Sequence, residues 1–581
     1  MVATEYKQID EVLSAWLNAR FREVFPEAEI GEAIGRVIPS ANAAFGDFQC
    51  NDAMALSKVL KQPPRNIAAK VVEGLELPPM ISKLEIAGPG FINITISSDF
   101  IAESLLAMAA ADKCGIPQCG AGHTVVIDYS SPNVAKPMHI GHIRSTVIGS
   151  AIDKLHRALG YNVIADNHLG DWGTQFGIII MGYRNFVDKE KLATEPATEL
   201  ERCYVQSYAR AKDDEEWMNR CREELVKLQQ GDEENLALWK EFIRLSMVEF
   251  NRVFARLGVR FDLTRGESYY QPVLKSVVDR LEEAGLAKDS EGAKIVDLEA
   301  EKLGVCIVRK SDGGFNYATT DIATVESRVT EFNPEKIIYV TDERQQLHFK
   351  QFFNICRKMN IAPESTALEH VWFGLMRLPE GTFSTRQGNV IKLEALLDEA
   401  ENRARKIIAE SRPDMPEAEA AELAAKIGIG AVKYSDLSQD PRTMITFTWD
   451  KALSLDGNSG PYLQYAHARI RSVLEKYKAQ FPELDYEAYP VVLNEDIERS
   501  LALKLAMYPA AVKKAAQSYR PCVLADYLYE LSQLYSSFYQ RVPFLKADEG
   551  VRESRIRICS IVAKVLSQGL GILGIEAPER I

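Results

Sequence analysis

The sequence contains no apolar run approaching the ~18 residues that a membrane-spanning helix needs, which argues against an integral membrane protein. Its 9 cysteines are scattered, and only Cys114 and Cys119 lie close together, so no second pair completes a zinc motif. Internal repeats and low-complexity tracts are also absent. Basic residues are outnumbered 69 to 82, and the resulting charge of −13 argues against a nucleic-acid partner unless basic faces are local. We therefore expect reduced thiols and a cytoplasmic location.

Length and composition predict a multidomain globular protein. The 581 residues, 46% hydrophobic and 26% charged, exceed a single core, since domains average about 150 residues. Helical spacing of the first apolar residues favours a folded helix over a signal peptide. We predict a multidomain α/β architecture with four regions. They are an N-terminal α+β domain at 1–118, a Rossmann-type parallel-sheet domain at 119–380 with a charged helical insertion at about 186–258, a connecting helical region at 381–451, and an all-α helical bundle at 452–581.

A βαβ unit is predicted at the start of the second region. The segment "TVVIDYS" alternates as a strand, a helix follows and ends near Gly160, and "YNVIADN" is the next strand. Strands joined by a helix pair in parallel, so we predict a parallel sheet, which "KIIYVTD" and "HVWFGLMRL" extend. From about Leu393 onward the pattern is helical, with glycine-rich breaks at "GIGAVKY" and "DGNSGPY".

Two histidines three residues apart occupy the loop after the first of these strands. The stretch "SSPNVAKPMHIGHIRS" holds His139 and His142 around Gly141, with Lys136 upstream. The pair could bind a metal, activate a nucleophile, cap the helix or hold a phosphate. A zinc site needs a third ligand and nucleophilic catalysis an activated serine or cysteine, and neither is obvious nearby. A helix N-terminus at the carboxyl end of a parallel strand suits an anion, and Gly141 admits a nucleotide, which favours a triphosphate site.

Six segments of the chain resemble one known family. The signature "HIGH" within "SPNVAKPMHIGHIRST" resembles class I aminoacyl-tRNA synthetases. The segments "NHLGDWGTQFG", "GGFNYATTDIA", "FSTRQGNVIKL", "GNSGPYLQYAHARI" and "LGIEAPERI" are similar to arginyl-tRNA synthetases, over essentially the whole chain. The resemblance implies ATP-dependent attachment of arginine to tRNA through an arginyl-adenylate, with release of pyrophosphate and AMP. It also implies a monomer, ATP with Mg²⁺ as substrate, no structural metal, and activation that requires bound tRNA.

The resemblance implies that the histidine pair belongs to a nucleotide site. His139, His142, Lys136, Ser384 and Arg386 are expected to act in catalysis. The expected ATP contacts are Pro132, His139, Gly141, His142, Phe383, Ser384 and Thr385. A second loop, which contains two lysines in most class I enzymes, is Thr-Phe-Ser-Thr-Arg at 382–386, and Lys136 is expected to replace a missing cation. An arginine fork at the last position is not a simple substitute for an ammonium group.

The resemblance implies a substrate pocket as well. The expected arginine contacts are Asn133, Glu267, Tyr317, Asp321 and Gln345. Carboxylate–guanidinium contacts are short and directional, and a site built on them can reject analogues by about 10⁴–10⁵ without proofreading.

The family is expected to hold tRNA at both ends of the chain. The N-terminal domain would contact the corner of the RNA, and the C-terminal bundle would read the anticodon. Basic stretches such as "HARIRSVLEKYK" contain interleaved aromatic residues, each of which is more often part of a core than a stacking platform. Tyr465 and Arg469 are the predicted tRNA contacts.

Two other functions remain open from the sequence. A non-catalytic tRNA-binding paralogue is supported only by the altered loop at 382–386, whereas the intact histidine signature, Lys136 and Asp321 argue against it. A small-molecule nucleotidyltransferase with a His-x-Gly-His site would not need the helical C-terminal third. Removal of the segment from Ala452 to Ile581 would leave such chemistry untouched but would abolish tRNA charging.

Overall fold

The computed structural model describes residues 6–26, 34–377 and 391–581. In this part of the chain, no helix is both long and apolar enough to cross a membrane. All nine cysteines are free thiols, and Cys119 is the exposed one among them.

The N-terminal domain packs helices on an antiparallel sheet. Its elements are α1 (Ile9–Val24), β1 (Val37–Pro39), β2 (Phe48–Cys50), α2 (Asp52–Leu60), α3 (Pro64–Val72), β3 (Ile81–Ala87), β4 (Phe91–Ile96) and α4 (Ser98–Ala110). The strand order is β1-β2-β4-β3. Strands β3 and β4 form a hairpin, and Ile92, Ile94 and Ile96 of β4 are buried. Ser97 caps α4, because its hydroxyl accepts the N–H of Phe100.

The next domain begins with the predicted βαβ unit and a helical insertion. Its first elements are β5 (Thr124–Asp128), α5 (Ile143–Ala158), β6 (Asn162–Asn167), α6 (Gln175–Phe186), α7 (Lys189–Thr194), α8 (Pro196–Asp213), α9 (Glu215–Gln229), α10 (Glu233–Arg256) and β7 (Leu263–Thr264). Helices α7 to α10 occupy the predicted insertion. Their buried apolar residues, such as Trp217 and Phe242, pack inward, while the charged side chains, except Glu199 and Glu224, are at least partly exposed.

The second half of this domain completes the parallel sheet. Its elements are α11 (Gln271–Glu283), β8 (Ala287–Ser290), β9 (Ala293–Asp297), β10 (Val305–Arg309), α12 (Tyr317–Phe332), β11 (Lys336–Asp342), α13 (Gln346–Lys358), β12 (Ala367–Phe373) and β13 (Met376–Arg377). Strands β12-β11-β5-β6-β7 form one five-stranded sheet, in which every neighbouring pair is parallel. Strands β8 to β10 form a separate small antiparallel sheet. The predicted strands therefore meet in one parallel sheet, with β5 at its centre.

The region that connects the sheet domain to the C-terminal helices differs from the sequence prediction in one helix. Its elements are α14 (Leu393–Ser411), α15 (Glu417–Leu437), β14 (Ile445–Thr446) and α16 (Trp449–Ala452). The predicted break at "GIGAVKY" is wrong, because these residues lie inside the continuous helix α15. A Cβ at Gly428 would lie 2.6 Å from the backbone of Ala400 on α14. The glycine thus permits close packing of two helices and does not end one.

The C-terminal region is all-helical. Its helices are α17 (Gly460–Gln480), α18 (Asp496–Ala506), α19 (Tyr508–Gln517), α20 (Pro521–Arg541) and α21 (Val551–Ile572). Asp47 of the N-terminal domain lies 2.6 Å from Arg499 of α18, so the two ends of the chain are joined by an ion pair. The predicted fold class, with its parallel sheet, N-terminal α+β domain and helical C-terminal bundle, is confirmed, while the exact domain limits stay predictions.

Candidate active site

His139 and His142 lie at the carboxyl edge of the parallel sheet, where the loop after β5 enters α5. A short 3₁₀ turn, Ile140–His142, directly precedes the helix. The N–H of Gly141 donates to Nδ1 of His139 over 3.1 Å, and the N–H of His139 donates to Nδ1 of His142 over 3.1 Å. The ring centroids are 3.9 Å apart. The backbone of the turn therefore fixes both side chains next to each other.

The two histidines are neutral at neutral pH. Burial, with the nearby His139, lowers the pKa of His142 to about 3. Burial, with the charge of Lys136, also lowers the pKa of His139. A backbone N–H can only donate, so each Nδ1 is unprotonated and the proton of the neutral ring is assigned to Nε2. The pair thus offers two N–H donors, which suit phosphate oxygens.

A metal role for the pair gains no support from its surroundings. Within the described ranges, no group of three or more His, Cys, Asp or Glu side chains is arranged to hold a metal ion. The contacts of His139 and His142 are with backbone N–H groups of their own turn.

The loop before the histidines has an unusual backbone. Ser130, Ser131 and Ala135 have φ values of 73°, 49° and 63° in the left-handed region. Such residues cost about 1–3 kcal/mol each and persist where surrounding contacts hold them. The N–H of Ser130 donates to Ser145 Oγ over 2.9 Å, and the N–H of Ala135 donates to Ser246 Oγ over 2.9 Å. Helices α5 and α10 therefore hold the loop in its shape.

The glycine of the signature has a local structural reason. A Cβ at Gly141 would lie 2.8 Å from the ring of His139. The close approach that requires glycine here is made by the neighbouring histidine, and the expected nucleotide contact of Gly141 stays a prediction. Pro132, a further expected ATP contact, is buried in the loop.

Lys136 lies beside the histidine turn, as the sequence predicts. Its Nζ is 4.7 Å from the ring centroid of Tyr204, which belongs to α8 of the insertion. The ammonium group is close enough to lower the pKa of His139. A positive charge therefore stands next to the two N–H donors.

The second predicted loop falls outside the described residues, together with Phe383, Ser384, Thr385 and Arg386, so their roles stay predictions. The chain that follows this loop is tied to the histidine turn. The N–H of Ile140 donates to the carbonyl of Ile391 over 3.0 Å, and the N–H of Leu393 donates to the carbonyl of Met138 over 2.9 Å. A short antiparallel contact thus joins the two sequence motifs at their base.

Two carboxylates from separate elements lie close to each other, and the space around them is termed the carboxylate pocket. Glu267 starts a 3₁₀ turn before α11, and Asp321 lies in the second turn of α12. Burial, with the charges of Asp321 and Asp171, raises the pKa of Glu267 to about 8. Asp321 Oδ2 lies 2.6 Å from His348 Nε2. Neighbouring carboxylates repel each other and favour a cation between them, so this pocket suits a guanidinium group.

Tyr317 lies near Glu267, and Gln345 ends the 3₁₀ turn that precedes α13. Tyr317, the first residue of α12, is 66% exposed. Partial burial of its hydroxyl group and the charge of Glu267 raise the pKa of Tyr317. Gln345 is exposed, and it lies one turn before His348 at the start of α13. His348 was not among the residues predicted for this site, although its position one turn after the predicted contact Gln345 was a usable signal. The predicted arginine residues Glu267, Tyr317 and Asp321 are therefore neighbours in space.

Asn133 is connected to the pocket through the segment after β6. The N–H of Gly170 donates to the carbonyl of Pro132 over 3.2 Å, and the N–H of Glu267 donates to the carbonyl of Leu169 over 3.0 Å. A Cβ at Gly170 would lie 2.2 Å from Asn133 Oδ1. The segment thus holds the histidine loop and the Glu267 turn side by side.

Two buried arginines form ion pairs that support the site and have no local sequence signal. Arg328 of α12 lies 2.6 Å from Asp128 and 2.9 Å from Asp166, at the ends of β5 and β6. Arg144 of α5 lies 3.0 Å from Asp436 of α15. Arg144 and Asp436 are 292 positions apart in the chain, so no pattern in the sequence predicts their ion pair.

Tyr465 and Arg469 form a surface cluster on α17. The guanidinium carbon of Arg469 lies 4.7 Å from the ring centroid of Tyr465 and 5.6 Å from that of Tyr539. Both tyrosines are 39% exposed, whereas Tyr535 is fully buried in the core. The cluster has the aromatic and basic character of an RNA-binding surface, and its contact with tRNA stays a prediction.

Family models match three consecutive parts of the chain. A model described as the class I (R) tRNA synthetase catalytic domain matches residues 105–449. The arginyl tRNA synthetase N terminal domain matches residues 7–96, and the DALR anticodon binding domain matches residues 463–581. The parallel sheet with its histidine signature and these matches define a class I aminoacyl-tRNA synthetase.

Full-length relatives identify the family within this class. An arginine–tRNA ligase of Fusobacterium nucleatum is 44% identical over 95% of this chain and 96% of its own. That of Escherichia coli K12 is 42% identical over 94% and 95%. The crystal structure of arginyl-tRNA synthetase from Plasmodium falciparum superimposes on this chain over the full length of both, with 27% sequence identity and a TM-score of 0.85. The chain belongs to the arginyl-tRNA synthetase family, as the sequence predicts.

Proposed function

We propose that this chain joins arginine to tRNA through an arginyl-adenylate, with His139, His142 and Lys136 at the phosphates of ATP and Glu267 and Asp321 at the arginine side chain. The relatives named arginine–tRNA ligase, at 40–44% identity over nearly the whole chain, confirm the predicted enzyme class. They give no support to a paralogue without catalysis. The family model of the catalytic domain likewise argues against a small nucleotidyltransferase.

The first step activates the amino acid. A carboxylate oxygen of arginine attacks the α-phosphorus of ATP, the bond to the pyrophosphate oxygen breaks, and its electron pair leaves with pyrophosphate. No strong acid or base is needed, so the site acts by positioning and by stabilising the charge on phosphate oxygens. The Nε2–H groups of His139 and His142 would donate to these oxygens, and Lys136 would supply a full positive charge. Neutral histidines serve this role across the physiological pH range.

Substrate selection rests on the carboxylate pocket. Asp321, held at one oxygen by His348, keeps its second oxygen for the guanidinium group. Glu267 would accept a further N–H once it is ionised. Tyr317, Gln345 and Asn133 would complete the contacts with the side chain and the α-amino or carboxylate end. Lysine lacks the planar fork of donors that would match two acceptors, and citrulline lacks the positive charge that would pair with the carboxylates.

The second step transfers the arginyl group to the terminal adenosine of tRNA. The 2′-hydroxyl attacks the carbonyl carbon of the adenylate, and AMP leaves. The cluster of Tyr465 and Arg469 would contact the anticodon region, far along the chain from the chemistry. We propose that ATP enters as its Mg²⁺ complex, and that the enzyme works as a cytoplasmic monomer that activates arginine when tRNA is bound.

The observation that carries this proposal is the closeness of Glu267 and Asp321, together with the segment after β6 that joins the Glu267 turn to the histidine loop. The test is arginine-dependent exchange of labelled pyrophosphate into ATP, with and without tRNA, for the wild type and for Lys136→Ala. Exchange that appears with tRNA and collapses in the variant supports both the activity and the role of Lys136. If exchange survives in Lys136→Ala, the lysine does not serve the phosphates. If folded wild-type protein shows none under any condition, the proposed activity is wrong.

A further inference from the structure

One face of the insertion helix α8 points toward the nucleotide site. Thr198, Glu201 and Tyr204 follow each other at intervals of three residues, so they lie on adjacent positions of this face. Each is half-buried. Two lysines from outside the insertion, Lys136 and Lys392, contact this face. The face therefore holds two cations at the edge of the site.

Lys392 is placed directly opposite His139. The two residues form an antiparallel bridge, and residues opposite each other in such a pair project their side chains to the same side, with Cβ atoms about 4.5–5.5 Å apart. The ammonium group of Lys392 does not lie over the histidine. It donates instead to Thr198 Oγ1 over 2.6 Å. A change of rotamer in its four-carbon stem is enough to swing the charge between these two directions.

Lys136 is held in a comparable way. Its ammonium group lies over the ring of Tyr204, in a cation–π contact. Glu201 stands between the two lysines. Burial raises the pKa of this carboxyl group, while the charges of Lys392 and Lys136 act to lower it. When it is ionised, this single carboxylate offsets part of the charge of the two lysines while the triphosphate is absent.

We propose that Lys392 is a second phosphate-binding cation of this enzyme, and that Thr198 and Glu201 hold it away from the site until ATP binds. The inference rests on the proposed function, because it assigns a further residue to the same reaction. Pyrophosphate gains negative charge as it leaves the α-phosphorus, and a mobile ammonium group on a flexible stem can follow that charge. The phosphates would then draw Lys392 away from Thr198, while His139 across the bridge keeps its place on the phosphate oxygens.

The first test is pyrophosphate exchange with Lys392→Ala and Lys392→Arg. Loss of one charge-assisted contact corresponds to about 1.5–3 kcal/mol, so KM for ATP should rise by roughly tenfold or more in Lys392→Ala. In Lys392→Ala, KM for arginine should stay within twofold of the wild-type value, and the melting temperature should stay within about 2 °C. Lys392→Arg should recover part of the loss in ATP binding. Lys191→Ala, at an exposed lysine of α7, is the matched control and should change neither constant.

The second test looks for an effect of opposite sign. Thr198→Val removes the acceptor of Lys392, and Glu201→Gln removes the charge that attracts both lysines. If these groups hold the lysines away, KM for ATP should fall about twofold to threefold in either variant, because less energy is spent on their release. A purely structural role of the same residues would raise KM or leave it unchanged.

The outcomes separate this inference from the proposed function. Unchanged ATP kinetics in Lys392→Ala, with normal arginine-dependent exchange in the wild type, would overturn the inference and leave the function intact. Equal losses for ATP and arginine with a lower melting temperature would show a structural role and overturn it as well. Selective loss for ATP in Lys392→Ala, with a gain in Thr198→Val, is the result that supports it.

Discussion

Binding of arginine should release a proton from Glu267. Burial and the neighbouring charges of Asp321 and Asp171 raise the pKa of this group to about 8. At pH 7 a carboxyl group of that pKa is protonated in about nine-tenths of the molecules. A guanidinium group at hydrogen-bonding distance stabilises the ionised form and lowers a carboxyl pKa by about 1–3 units. If the fall is about 2 units, roughly 0.8 proton leaves per arginine bound at pH 7.

The sign of the pH dependence follows from this release. The protonated form of Glu267 dominates the free enzyme at low pH and binds a cation poorly, so affinity increases as pH rises. Between the pKa of the complex and that of the free enzyme, the dissociation constant should fall by up to about tenfold per pH unit, with a plateau above pH ~8. The guanidinium of the substrate stays charged throughout, since its pKa exceeds ~12.

Isothermal titration of arginine at pH 7 measures the proton directly. The apparent enthalpy should differ between phosphate and Tris buffers in proportion to their ionisation enthalpies, and the slope gives the number of protons released. Glu267→Gln is the matched control, because it keeps the shape of the side chain and cannot ionise. It should bind arginine more weakly at pH 8 and lose both dependences. Equal enthalpies in the two buffers, with a flat affinity from pH 6.5 to 8, would refute the reasoning.

Three further predictions concern the scaffold and the tRNA surface. Arg144→Met leaves the buried Asp436 unpaired and should cost about 3–5 kcal/mol in urea denaturation, with partial recovery in the double variant Arg144→Met/Asp436→Leu; an unchanged midpoint would contradict this. Gly428→Ala should lower stability by about 1–3 kcal/mol in the same assay, whereas Gly571→Ala, a helical glycine with open space, should not; equal effects would be evidence against close packing. Arg469→Ala should raise KM for tRNA in charging about tenfold and spare exchange at saturating tRNA, and an unaltered KM would remove Arg469 from the interface.

The elements of the sheet were predictable because strand patterns are local. The segment "KIIYVTD" matches β11, Lys336–Asp342, residue for residue, and "TVVIDYS" contains β5. The glycine-rich stretch in α15 was misinterpreted for a physical reason. Glycine lowers helix propensity, but tertiary packing overrides propensity where two helices approach too closely for a side chain.

The candidate site was only partly predictable. The residues of the histidine turn and of the carboxylate pocket were named from motifs, and the structure brings Glu267, Tyr317 and Asp321 together. Their electrostatic state was not predictable, since the pKa of Glu267 depends on carboxylates from two other elements. The contact of Lys392 with Thr198 joins positions 194 residues apart and appears only in three dimensions.

The preference of tRNA charging for arginine tests the central claim most directly. Purified protein, tRNA and ATP are incubated with labelled arginine, lysine or citrulline, for the wild type and for Asp321→Asn. We expect charging with arginine, a preference of about 10⁴ or more over the analogues, and a collapse of arginine charging in Asp321→Asn. Charging with lysine at a comparable rate, or full arginine charging in Asp321→Asn, would contradict this expectation.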